Sequence, residues 1–116
     1  MANSETEIQQ RIRLAVGVRD DVRLFRNNTG SLPDPRTGRP IRFGLAKGSA
    51  DLIGIKSITI TPEMVGQTVG IFTSLEVKTP TGRLTPQQRN WMDMIRKLGG
   101  IAGVVRSTRD AEEILR

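Results

Sequence analysis

The alternation of apolar and polar positions divides the chain into helical and extended stretches separated by Gly- and Pro-rich breaks. In residues 4–16 (SETEIQQRIRLAV), Ile8, Ile12, Ala15 and Val16 fall on one stripe at about 100° per residue, which predicts a helix. Ser4 and Glu7 have the spacing of a capping box at its start. Residues 21–28 (DVRLFRNN) predict a short strand, and 29–40 (TGSLPDPRTGRP) a loop rich in Gly, Pro and Arg. Two β-branched stretches, 50–60 and 69–79, predict an antiparallel hairpin with a long connection through TPEMVGQ. Residues 85–100 (TPQQRNWMDMIRKLGG) predict the clearest helix, with Thr85 as N-cap, Pro86 at the first position and Gly99–Gly100 at the end. Its expected buried stripe is Trp91, Met94, Ile95 and Leu98, with Gln87 one turn earlier on the same line. A strand over 101–107 and a helix over 108–116 close the chain. The resulting order is α-β-β-β-α-β-α, and the expected fold is α/β (α+β), a mixed central sheet flanked by helices.

Five polar side chains break these patterns. Glu5 falls on the apolar stripe of the first helix, whereas Glu7 falls roughly opposite Val16. Asp51 opens an apolar strand. Glu76 and Lys78 share one strand face, because side chains alternate with period two. Gln87 lies on an expected core-facing stripe. Charges in a strand centre are costly to bury, so these groups need a wet face or a function.

Composition narrows the function. A chain of 116 residues makes one domain, expected to run over 1–116. The net charge of +6, with a pI near 11.0, favours an acidic partner, nucleic acid first. The cluster Arg26, Arg36, Arg39, Arg42 and Lys47 is either a solvated loop or an arm that contacts phosphates. No apolar run approaches the ~20 residues of a membrane span, and the polar start MANSETEIQQ does not read as a signal peptide. The absence of His, Cys and Tyr excludes catalytic triads, thiolate metal sites and His, Cys or Tyr nucleophiles. One Trp and three Phe give little support for base stacking on aromatic platforms.

One chemistry needs the five polar groups together. Phosphodiester hydrolysis with Mg²⁺ or Mn²⁺ requires hard oxygen ligands. Asp51, Glu76 and the backbone carbonyl of Val77 are the candidate metal ligands, with Glu5 acting through a water or a second ion. Lys78 is the candidate for orienting the attacking water or neutralising the transition state, and Gln87 for orienting Lys78 or that water. Each also has an ordinary reading: Glu76 and Lys78 as a solvated cross-strand pair, Asp51 as a turn residue, Gln87 as a helix-start residue. Their joint spacing favours the catalytic one.

That spacing resembles the PD-(D/E)XK nuclease superfamily, and more narrowly a stand-alone virus-type replication-repair nuclease (VRR-NUC) domain. The matching stretches are SETEIQ, FRNNTG, FGLAKGSADLIG, LEVK, LTPQQRNWMDMIRKLGG and GVVRS, covering nearly the whole chain. Ala50 stands where the superfamily pattern has Pro. The resemblance implies a restriction-endonuclease-like core and a Mg²⁺- or Mn²⁺-dependent DNA endonuclease. It implies a homodimer that resolves Holliday (four-way) junctions in DNA repair, in the cytoplasm of a bacterial or phage-infected host. Arg26, Asn28, Arg36, Arg39, Arg42, Lys47 and Ser49 are then the expected DNA contacts, with no organic cofactor and no membrane partner. A non-catalytic DNA-binding or assembly module on the same fold, and a restriction-type duplex endonuclease, are the alternatives.

Overall fold

A computed structural model describes residues 4–116; the first three residues of the polar N-terminal stretch lie outside them. The elements are α1 (Glu5–Val16), β1 (Val22–Arg26), β2 (Gly30–Pro33), β3 (Pro40–Phe43), β4 (Leu52–Lys56), β5 (Thr73–Val77), α2 (Pro86–Lys97), β6 (Ile101–Val105) and α3 (Thr108–Ile114). A single helical turn, Pro62–Met64, lies between β4 and β5. The contacts divide the chain after Gly54 into two compact units.

In the first unit, Ser4 caps α1 by accepting a hydrogen bond from the Glu7 N–H, which supplies one half of the anticipated capping box. The helix packs on β1, and β1 pairs with β4. Gly54 is required for this pairing, since a Cβ there would meet the Arg23 carbonyl oxygen at 1.9 Å. Asn27 is the buried polar residue of the unit. Its Nδ2 donates to Ser49 Oγ (2.6 Å) and the Ala50 carbonyl (2.9 Å), and its Oδ1 accepts from the Leu45 N–H (3.0 Å). A further bond from the Asn27 N–H to the Asp51 carbonyl (2.8 Å) ties the 45–51 loop to the end of β1.

The second unit holds the apolar core. Ile55, Met92, Ile95 and Ala102 are buried together, with Phe72, Leu84, Met94, Leu98 and Val104 packed around them. α2 begins with a complete capping box: Gln88 N–H donates to Thr85 Oγ1, and Thr85 N–H donates to Gln88 Oε1. β5 and β6 run parallel with Glu76 opposite Val104, as a β-α-β connection through α2 requires. α2 and α3 both pack on β6.

Several expectations are corrected. The stretch 29–40 is not a loop; it contains β2 and leads into β3, an antiparallel pair in which Leu32 faces Ile41 and Ser31 faces Arg42. Both strands are short and carry their prolines at the pair nearest the turn, where the ladder ends and a missing N–H costs little. The anticipated hairpin of 50–60 with 69–79 gives way to other pairings: β4 lies beside β1, and β5 beside β6. The segment between them, residues 57–72, is too long for a tight hairpin turn and carries the helical turn Pro62–Met64. The described strands therefore form three two-stranded sheets in place of one central mixed sheet, and the order is α-β-β-β-β-β-α-β-α. On α2 the buried positions are Met92 and Ile95, while Trp91 remains 37% exposed.

Candidate active site

β5 organises the polar groups of the second unit. The Phe72 carbonyl and the Lys78 N–H both bond to β6, so the even-numbered residues of this strand direct their peptide groups at that neighbour. By the same alternation the Val77 carbonyl points to the opposite edge of β5. Side chains of Ser74, Glu76 and Lys78 share the face toward α2. Trp91 Nε1 donates to Ser74 Oγ at 2.8 Å, and Gln88 Nε2 donates to Glu76 Oε1 at 2.6 Å. Lys78 Nζ stands 3.6 Å from the same Glu76 oxygen.

Gln88 is thus fixed at both ends of its amide. Its oxygen is bound by the Thr85 N–H, which leaves the amide nitrogen aimed at Glu76. Both partners of Glu76 meet Oε1, and Oε2 takes no hydrogen bond from the described residues. The Lys78 side chain is 19% exposed, so its charge acts where water screens it weakly. Glu76, Gln87, Gln88, Trp91 and Met92 line a cleft of about 300 Å³. Gln87 reaches that cleft from an exposed helix position, and the inward glutamine is its neighbour, Gln88. Arg106 donates to the carbonyls of Thr79 and Gly82, which fastens the turn that follows Lys78.

The first unit contributes a second acidic cleft. Glu5 and Asp51 line it together with Ile8, Gln9, Ile12 and Leu52, in a volume of about 260 Å³. Their side-chain oxygens have no hydrogen-bond or ion-pair partner among the described residues. Asp51 follows the loop that Asn27 holds, so its backbone is pinned while its carboxylate stays exposed.

The expected DNA contacts also lie in this unit. Arg26 and Asn28 are exposed at the end of β1, Arg36 and Arg39 lie in the turn between β2 and β3, and Arg42 is on β3. Arg42 and Lys47 line a larger cleft of about 560 Å³ with Ser31, Phe43 and Leu45. Ser49 is engaged within its own loop, accepting from Asn27 and donating to the Ala46 carbonyl at 2.6 Å.

In each cleft the acidic side chains offer hard oxygen donors of the kind a divalent cation takes. All the acidic side chains supply oxygen, and Mg²⁺ is commonly held by one or two carboxylates with waters and substrate phosphate completing its shell. No group of three or more His, Cys, Asp or Glu suited to a metal occurs among the described residues, so protein carboxylates alone do not fill such a shell.

A comparison with protein families decides what kind of domain carries this arrangement. The VRR-NUC domain matches residues 3–109 of the chain. The chain belongs to the VRR-NUC family. It is accordingly a nuclease-type domain that processes DNA. No curated protein and no solved structure matches the chain. No helix of the described residues in this VRR-NUC domain is long and apolar enough to cross a membrane.

Proposed function

We propose that this VRR-NUC domain is a Mg²⁺- or Mn²⁺-dependent endonuclease that cuts branched DNA, four-way junctions foremost, as a homodimer. The observation that carries the reading is the Gln88–Glu76–Lys78 arrangement on the α2-facing side of β5. It combines an oriented carboxylate having one unengaged oxygen with a half-buried ammonium, in a family of nucleases.

Asp51 and Glu76 would hold the cation, with the Val77 carbonyl as a further ligand and Glu5 contributing through a water or a second ion. The ion, when bound, supplies Lewis-acid activation of water and neutralisation of phosphate charge. The chain's own residues do the rest. Gln88 keeps the Glu76 carboxylate in one orientation. Lys78 stabilises the negative charge that builds on the phosphate oxygens as the water oxygen bonds to phosphorus and one ester bond breaks. Gln87, at the mouth of the cleft, orients the attacking water. Arg26, Asn28, Arg36, Arg39, Arg42 and Lys47 bind phosphates, while Ser49 shapes the loop that presents Lys47.

Homodimerisation follows from the substrate. Symmetric cutting of a four-way junction needs two sites related by a two-fold axis. Comparing cleavage of a fixed four-way junction, a fork and the matched duplex tests the substrate. Faster cutting of the junction is expected. Preference for the plain duplex would indicate a restriction-type enzyme, and tight binding with no metal-dependent cutting a non-catalytic module.

A further inference from the structure

The β2–β3 hairpin has two chemically different faces. Cross-strand partners share a face and successive pairs alternate. Leu32 with Ile41 and Gly30 with Phe43 therefore form one side, and Ser31 with Arg42 the other. The Phe43 ring lies over Gly30, where a Cβ would come within 2.5 Å of it. Leu32 is 64% exposed, Ile41 51% and Phe43 45%, so this side of the ribbon is an apolar surface open to solvent.

The end of the ribbon is ordered and cationic. Asp34 N–H donates to the Arg39 carbonyl, Gly38 N–H donates to the Asp34 carbonyl, and Asp34 Oδ1 accepts from the Arg36 N–H. Gly38 permits the tight turn with a φ of 72°. The Arg36 side chain is 90% exposed, and its 3.8 Å approach to Asp34 is a loose pairing. Arg36, Arg39 and Arg42 against Asp34 leave the hairpin with a net positive charge.

We propose that this hairpin is a wedge: its apolar face enters between unstacked bases at the branch point of DNA while its arginines hold the flanking phosphates. The inference rests on the reading above that the substrate is branched DNA. The arginines draw the hairpin to the backbone by charge complementarity, which brings its apolar face to base faces, the apolar surface DNA exposes where stacking is interrupted. A two-stranded ribbon is narrow enough to enter the major groove, and Leu, Ile, Phe and Pro are the side chains that partly unstack base steps.

The test uses a four-way junction carrying 2-aminopurine beside the branch point, mixed with the full chain in a chelator so that no cutting occurs. Binding by the wild type is expected to raise the 2-aminopurine fluorescence about severalfold as the base unstacks. Leu32→Thr with Ile41→Thr places β-branched strand formers on an exposed hairpin. It should bind with an unchanged salt dependence and lose most of that rise. Wild-type binding without a rise, no wild-type binding, or a rise that survives in the double variant would each overturn the wedge. A loss of dimer mass in the double variant with the rise intact would assign the face to a second copy and overturn it equally. The wild-type measurement stands alone if the double variant does not fold. A rise without Mg²⁺-dependent cutting in a parallel assay would keep the wedge and remove the nuclease reading.

Discussion

Gln88 donates its amide nitrogen to Glu76 Oε1 across the α2–β5 interface, while its amide oxygen caps α2 through the Thr85 N–H. One side chain therefore serves both the helix start and the orientation of an acid. Gln88→Glu separates the two roles. The new carboxylate keeps the capping acceptor and loses the donor to Glu76. Cleavage is expected to fall about 10- to 100-fold, the usual effect of removing a group that orients a metal ligand, while the far-ultraviolet circular dichroism stays that of the wild type. Steady-state cleavage together with a dichroism spectrum checks this.

Asn27 is buried, and its amide donates twice and accepts once within the 45–51 loop. Asn27→Ala should cost about 1–3 kcal/mol by leaving those groups unsatisfied. Asn27→Asp is nearly isosteric but turns an acceptor toward the Ala50 carbonyl. Urea titration should find it at least as destabilised as the alanine variant, an order that lost volume alone does not produce.

Gly54 meets the Arg23 backbone too closely for any side chain. Gly54→Ala must push β1 and β4 apart, and overpacking of this kind costs about 1–3 kcal/mol. A lowered thermal midpoint is the expected result.

Arg36 and Arg39 sit in the exposed turn of the β2–β3 hairpin. Replacing both with Ala removes two of the proposed phosphate contacts. The slope of log K against log salt for junction binding should fall in magnitude by about 2, since each contact releases roughly one counterion. Fluorescence anisotropy titrations at several salt concentrations measure it.

Local chemistry made much of this legible in the sequence. Thr85, Pro86 and Gln88 announce the start of α2 because a capping box needs only residues three apart. Glu76 and Lys78 meet on one face because a strand alternates with period two. Non-local choices were less accessible. β4 and β5 each found another partner, and no local pattern encodes which strand lies beside which. The strands β2 and β3 were hidden by three prolines and the glycines between residues 29 and 40. The glutamine facing Glu76 is one position from the expected one. Placing the stripe through Trp91 sets the phase of α2 by its largest apolar side chain. That indole instead sits at the edge, 37% exposed, with its N–H on Ser74, and the buried line runs through Met92 and Ile95 to Gln88. Asn27 and Asn28 are the same letter twice, and burial alone separates the structural one from its exposed neighbour.

The most direct test of the central claim is a time course of cleavage on an end-labelled four-way junction, run with Mg²⁺, with Mn²⁺ and with chelator, for the wild type and Lys78→Ala. The expected result is cutting by the wild type with either ion, none in chelator, and a loss of about 100- to 1000-fold in the variant, as when one transition-state charge stabiliser is removed, with junction binding retained. Cutting that persists in chelator, or that Lys78→Ala leaves unchanged, would contradict the account.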